Sequence, residues 1–206
     1  MISILATLLL ALLTDFIVIE QPTTGLAYEL HLTEKSNPLG IALLSKKSCC
    51  AVHKGCYSNL LSAGQDAMSL GYQLKIVDAL RPLYVQQALF AVISDPKFVS
   101  QAGDKDDLHT RGLSVDILLM DKEGKLLPLP TPYMETTPRA FSDYRDCTEE
   151  ERQNREILSD IMTRNGFKQH PNRWWEFMST YWDTLPSVEK EHFSPFNFSL
   201  EELNIP

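Results

Sequence analysis

Hydrophobic positions along the chain fall into short blocks of two different periods. In KGCYSNLLSAGQDAMSLGY, from Lys54 to Tyr72, apolar residues at Leu60, Leu61, Ala63, Ala67, Met68 and Leu70 recur at helical spacing. Gly71 stands where that helix would end, since the left-handed position after a helix suits glycine. QLKIVDAL follows with Leu74, Ile76 and Val77 and reads as a strand. RPLYVQQALFAVIS predicts an amphipathic helix with Pro82 in its first turn, where a missing N–H costs nothing. SDPKFVSQAGDKDDL reads as a polar loop, LSVDILLMD as a buried strand and KEGK as a tight turn. TEEERQNREILSDIMTRNGF carries the strongest helix signal. Thr148 and Glu151 form a capping box, Ile157, Ile161 and Met162 supply the apolar stripe, and Gly166 ends it. WWEFMS then reads as a strand. Helices and strands mix without regular βαβ alternation, which predicts an α+β fold with a small, mostly antiparallel sheet flanked by helices.

With 206 residues, no internal repeat and no Gly/Ser linker, the chain suits a single domain. A 44% hydrophobic and 22% charged composition excludes a disordered or low-complexity chain. The net charge of −8 leaves no basic stripe for nucleic acid.

The N-terminus differs from the rest. MISILATLLLALL is apolar through Leu13, Asp15 interrupts, and FIVI resumes. A membrane span needs about 20 predominantly apolar residues, so this run is marginal. A secretory signal has a shorter apolar region and a small-x-small cleavage site, which Gly25-Leu26-Ala27 matches, although a basic start is missing. The alternative is the first helix or strand of the fold. Cys49, Cys50, Cys56 and Cys147 have no zinc-ribbon spacing. In an exported chain Cys147 could bridge to an early cysteine; in a cytosolic chain all four would be thiols.

Asp107-Leu108-His109-Thr110-Arg111-Gly112-Leu113-Ser114-Val115-Asp116 is the segment richest in chemistry. His109 and Asp116 run from a loop into a strand, and Gly112 between them lets the backbone turn so that both side chains can converge. Imidazole nitrogen and carboxylate oxygen suit zinc. A histidine beside a strand is usually only packed or capping. Asp116, however, opens an apolar strand, and an acid there needs a partner or a metal.

LHTRGLSVDILL resembles the S-x-H-x-x-G-x-A-x-D signature of the zinc D-Ala-D-Ala dipeptidases. GYQLKIVDALRPLYVQQALF is similar to that family's strand followed by D-A-x-R-P, and AVHKGCYSNLLSA to its first helix. QNREILSDIMTRNGF resembles the helix before its last motif, and YELHLTEKSNPLG its opening segment. HPNRWWEF falls where the family carries E-W-W-H. The resemblance spans about Glu29 to Phe177 and implies one metallopeptidase domain over residues 28–206, with a signal peptide over 1–27. It thereby favours a periplasmic or secreted protein with no stable membrane span in its mature form, a cytoplasmic one being the alternative.

The resemblance also implies residue roles. His109 and Asp116 would be two of three zinc ligands. Arg81 would lie beside the metal and stabilise negative charge on the attacked carbonyl oxygen. Trp174 and Trp175 would wall a small pocket or simply pack in the core. The fourth motif departs from the family: its base position holds Arg173 and its third-ligand position Glu176. Glutamate is an ordinary zinc ligand, although a second carboxylate lowers the metal's Lewis acidity and favours harder ions such as Mn²⁺. Arginine stays protonated and cannot accept a proton from water. A second arrangement makes Glu176 the base, with another donor such as His170 completing the metal site. Asp107 replaces the family's serine, and His31, His53 and His192 have no partner at ligand spacing.

The expected function is metal-dependent hydrolysis of D-alanyl-D-alanine, a small D,D-dipeptide of cell-wall metabolism. The alternatives are an impaired relative that binds the dipeptide or peptidoglycan fragments, and a cell-wall carboxypeptidase.

Overall fold

A computed structural model describes residues 15–21, 23–37, 39–192 and 196. Its centre is a five-stranded sheet in the order β2-β4-β5-β7-β6. The strands are β2 (Leu26–Tyr28), β4 (Tyr72–Asp78), β5 (Ser114–Asp121), β6 (Phe167–His170) and β7 (Arg173–Ser179). Only β2 and β4 pair in parallel; the other neighbours are antiparallel, as expected. A separate two-stranded ribbon joins β1 (Phe16–Val18) to β3 (Ala51–His53).

Helix α1 (Lys54–Ser69) packs on β4 and against α3 (Glu149–Arg164), which in turn packs on β6. Cys56, Leu60, Ala63, Gly64 and Ala67 form the buried stripe of α1. Met68 and Leu70, expected on that stripe, are exposed, because the buried row turns away before the helix ends. Thr148 caps α3 through the full capping box. Short α2 (Leu83–Val92) starts directly after Pro82, and α4 (Tyr181–Thr184) and α5 (Ser187–His192) follow β7. Gly71 and Gly166 sit at positive φ after α1 and α3, as the sequence predicts.

Among the described residues no helix is long and apolar enough to cross a membrane. None of the four cysteines is bridged, and Cys49, Cys50 and Cys56 are buried.

The first described segment is built into the domain. β1 pairs with β3, Ile19 and Leu26 are core residues, and β2 forms one edge of the central sheet. The turn into β2 presses so closely on α1 that a Cβ on Gly25 would lie 2.0 Å from the Gly64 carbonyl oxygen. The boundary expected after Ala27 runs through β2. Residues 1–14 of the expected export segment lie outside the described residues. A chain beginning at residue 28 loses β1, Ile19 and most of β2. Full burial of an aliphatic side chain stabilises by about 1.5–3 kcal/mol. Urea unfolding of chains starting at residue 15 and at residue 28 is therefore expected to differ by about 3–6 kcal/mol. Equal midpoints would mean that β1 and β2 are accessory.

Candidate active site

Three carboxylates lie side by side across three neighbouring strands. Asp78 of β4 is opposite Asp116 of β5, and Asp116 is opposite Glu176 of β7. Directly opposed residues share a face of the sheet, so sequence-distant acids converge. All three are buried. The pairing of β4 with β5 is irregular between Ile76 and Asp78, and that of β6 with β7 between Gln169 and His170. Such irregularities re-aim side chains. The second one explains how Arg173 and Glu176, three apart on one strand, meet at all, since a regular strand would send them to opposite faces.

Each acid in the row has a cation. Arg81 follows β4 directly and donates from Nε and Nη2 to Asp78 Oδ2, at 3.0 and 2.6 Å. Its Nη1 donates to Gln86, and its Nη2 lies 3.7 Å from Asp116 Oδ2. Arg173 places Nε 2.5 Å from Glu176 Oε2, although that N–H is not aligned for a hydrogen bond. Its other guanidinium nitrogens reach the Lys97 carbonyl and the Ser100 hydroxyl. Ser114 donates to Glu176 Oε1 at 3.1 Å.

His109 completes the cluster from a tight turn, His109–Arg111, closed by Gly112 at φ 66°. A Cβ at Gly112 would sit 2.8 Å from the His53 amide nitrogen, so this turn needs glycine for conformation and for space. Nδ1 of His109 lies 2.8 Å from the Ala79 carbonyl, which only accepts, so Nδ1 carries a proton. Nε2 is thereby aimed at the row, 3.3 Å from Asp116 Oδ1 and 3.8 Å from Glu176 Oε2. Neither His109 Nε2 nor Asp116 Oδ1 has a hydrogen-bond partner, and both are buried. Tyr133 donates its hydroxyl to the other Asp116 oxygen, Oδ2, at 2.6 Å.

The cluster opens into a cleft with about 30 Å³ of free space. Its polar lining includes Arg81, His109, Asp116, Glu135, Arg173 and Glu176, and Leu89, Phe98, Met134 and Trp175 give an apolar side. Such a volume admits only a small group beside the donors.

Comparison with known proteins identifies the family. A family model described as D-ala-D-ala dipeptidase matches residues 13–194. The chain belongs to the D-Ala-D-Ala dipeptidase family. It is 30% identical over 152 residues to the D-alanyl-D-alanine dipeptidase of Escherichia coli K12, a match covering 74% of this chain and 78% of that protein. It is also 30% identical over 80 residues to a D-alanyl-D-alanine dipeptidase of Synechocystis sp., covering 34% and 32%. Among solved structures, the LD-carboxypeptidase LdcB, described in connection with peptidoglycan recognition, aligns with a TM-score of 0.46 and 13% identity. That alignment covers 92% of this chain and 77% of the other.

Against the family pattern, the structure brings together all five residues singled out in the sequence: Arg81, His109, Asp116, Arg173 and Glu176. Trp175 lines the cleft, whereas Trp174 lies behind it in the core, donating from Nε1 to Thr131 at 2.8 Å. Asp107, at the family's serine position, lines the cleft, and its carboxylate accepts from Gly103 N and from Thr110 of its own loop. His170 accepts from the Asn172 amide and lines a neighbouring open cavity with Lys97 and Asp106, not the cleft. Asp78 was not singled out, although it closes an apolar strand beside Arg81 and the reasoning applied to Asp116 applies equally to it. Tyr133, Ser114 and Gln86 left no sequence signal of comparable strength.

Asp78, His109 and Asp116 each offer a ligand atom within 4.8 Å of the others. The oxygens of Asp78 are already held by Arg81 and by the Ala79 amide. Glu176 Oε2 lies 3.8 Å from His109 Nε2, and the Arg173 N–H beside it is misaligned for a hydrogen bond. The donors His109 Nε2, Asp116 Oδ1 and Glu176 Oε2 therefore fit a divalent metal of the zinc type.

Burial by itself would raise the Glu176 carboxyl, but Arg173 and His109 hold it well below the usual carboxylate range. Burial and Arg81 push the His109 imidazolium down, and Asp116 and Glu176 override them, raising it to about 10. Burial raises the Asp116 carboxyl and His109 opposes that rise, so these two groups titrate as a pair between the guanidinium groups of Arg81 and Arg173. Two outcomes follow. Arg173→Gln leaves Glu176 buried beside no guanidinium, and removing one member of a buried pair costs about 3–5 kcal/mol; urea unfolding of the metal-free protein reads this directly. The raised His109 contributes stability that is full below about pH 6.5 and is lost as pH rises through about 10. The metal-free protein is expected to lose stability across that window, and His109→Ala to flatten the profile.

Proposed function

We propose that this chain is a metal-dependent peptidase acting on D-alanyl-D-alanine, with the metal held by His109 Nε2, Asp116 Oδ1 and Glu176 Oε2. The observation that carries this reading is the pair of buried, unpartnered donors, His109 Nε2 and Asp116 Oδ1, 3.3 Å apart and open to a cleft. Two buried polar atoms that make no hydrogen bond are costly unless a ligand joins them. The named activity of the Escherichia coli and Synechocystis relatives supports the choice of substrate. Zinc is the first choice of ion, and two carboxylates in the donor set also admit Mn²⁺.

When bound, the metal would supply Lewis acidity toward a carbonyl and toward water. The protein's own residues do the remaining work. The guanidinium of Arg81 is fixed by Asp78 and Gln86 at the edge of the cleft, in place to meet negative charge developing on a carbonyl oxygen. Leu89, Phe98 and Trp175 exclude water and accept a small apolar side chain. Arg173 holds Glu176 and cannot itself take up a proton.

The presence of Arg173 in the family's base position favours a second reading, a relative that binds the dipeptide or a peptidoglycan fragment without cleaving it. Metal analysis of the purified protein, followed by assay of D-alanine release with Zn²⁺ or Mn²⁺, separates the two. About one metal per chain and turnover that disappears in His109→Ala are expected. Dipeptide binding by calorimetry without turnover would establish the second reading, and neither metal nor turnover would sink the first. The double change Arg173→Glu with Glu176→His is expected to raise turnover by about 10²–10⁴, the worth of a placed acid–base group.

A further inference from the structure

We propose that Tyr133 is a positioning residue that selects which oxygen of Asp116 is presented to the metal. This inference rests on the reading of Asp116 as a ligand. A carboxylate can turn either oxygen toward a cation, and a donor on one oxygen decides the matter for the other. Here the Tyr133 hydroxyl donates to Oδ2 at 2.6 Å, leaving Oδ1 without a partner and 3.3 Å from His109 Nε2. Arg81 adds its charge on the same side, 3.7 Å from Oδ2.

The phenol is itself held. Its ring makes edge contacts with His31 at 5.2 Å and with Trp175 at 5.5 Å between centroids. The next residue, Met134, has a φ of 63°, a left-handed conformation that a side chain of this size rarely adopts. Strain of this kind persists where surrounding contacts impose it and gathers at functional sites. Met134, Glu135 and Thr136 all line the cleft alongside Tyr133, so the strained turn lies at the site and not at a remote surface. The segment LPTPYMETTP that carries it announces none of this in its sequence.

Tyr133→Phe removes the hydroxyl and keeps the ring contacts. In the full chain, zinc titrated into the metal-free variant by calorimetry is expected to bind about 10–100-fold more weakly than to wild type, the usual effect of losing a partner of a metal ligand. The visible bands of the cobalt(II)-loaded variant are expected to shift relative to wild type, because the ligand field senses how Asp116 is turned. Equal zinc affinity with superimposable cobalt spectra would reduce Tyr133 to packing. Absence of metal from wild type would overturn the assignment of the ligands, and this inference with it. A readout independent of the variant comes from proton resonance of wild type: a slowly exchanging phenolic hydroxyl is expected before and after zinc is added. Its disappearance on zinc binding would count against the proposal even if the variant does not fold.

Discussion

The structure depends on one electrostatic constraint: three carboxylates occupy one row across β4, β5 and β7, in a region where water cannot solvate them. A buried, uncompensated carboxylate costs several kcal/mol, so the surrounding architecture is organised to neutralise this row. Arg81 emerges from β4 at the point where its guanidinium folds back on Asp78. The turn carrying His109 is pinned to the same strand end twice, by the Arg81 amide donating to the His109 carbonyl and by the imidazole donating to Ala79. Arg173 begins the neighbouring strand and is fastened to the 97–100 loop before it meets Glu176. The two irregular strand pairings occur where the row demands that side chains be turned. Local backbone irregularity and charge balance are thus two sides of one requirement.

The same balance governs how a metal enters. Asp116 and Glu176 favour a proton on His109, and a nitrogen that carries a proton cannot ligate. A metal held by this nitrogen would have to displace that proton, which would couple its affinity to pH in the usual way for imidazole ligands. Arg173 and Arg81 would both bear on the charge of such a metal. Compared with the family's pattern of glutamate and histidine at these two positions, the pair Arg173 and Glu176 adds one positive charge to the site overall. That addition opposes the entry of a dication, whereas the carboxylate of Glu176 favours it. Both effects act at one oxygen, Glu176 Oε2.

Much of this arrangement was legible in the residues, and the part that was not has physical reasons. Asp116 was readable because a polar residue in an apolar strand violates hydrophobic patterning, and such violations mark function; His109 was readable from its spacing to Asp116 across Gly112. Capping signals located α1 and α3 because Thr148, Gly71 and Gly166 act through their immediate neighbours. β1 and β2 were not legible as strands, since three-residue strands are too short for period-2 alternation and their stability comes from partners 33 to 48 residues away. Trp174 and Trp175 could not be told apart, because the irregular pairing of β7 decides which of them faces the cleft. The bonds of Asp107 to Gly103 and Thr110 were not legible either, because only the folded loop reveals them.

The pair Arg173 and Glu176 shows why a motif cannot be read one position at a time. Taken singly, arginine in a base position reads as loss of function and glutamate in a ligand position as a tolerable exchange. Taken together they form a buried ion pair in which each residue makes the other admissible. Glu176 without Arg173 would add a third acid to a row that already strains its counter-charges, and Arg173 without Glu176 would be a guanidinium confronting a metal site directly. Their contact keeps Glu176 ionised while the guanidinium competes for its Oε2. The outcome is a weaker donor that can still be a donor. A proton acceptor is the function this pair cannot replace, and that single deficit, not the integrity of the metal donors, is where hydrolysis and mere binding part company.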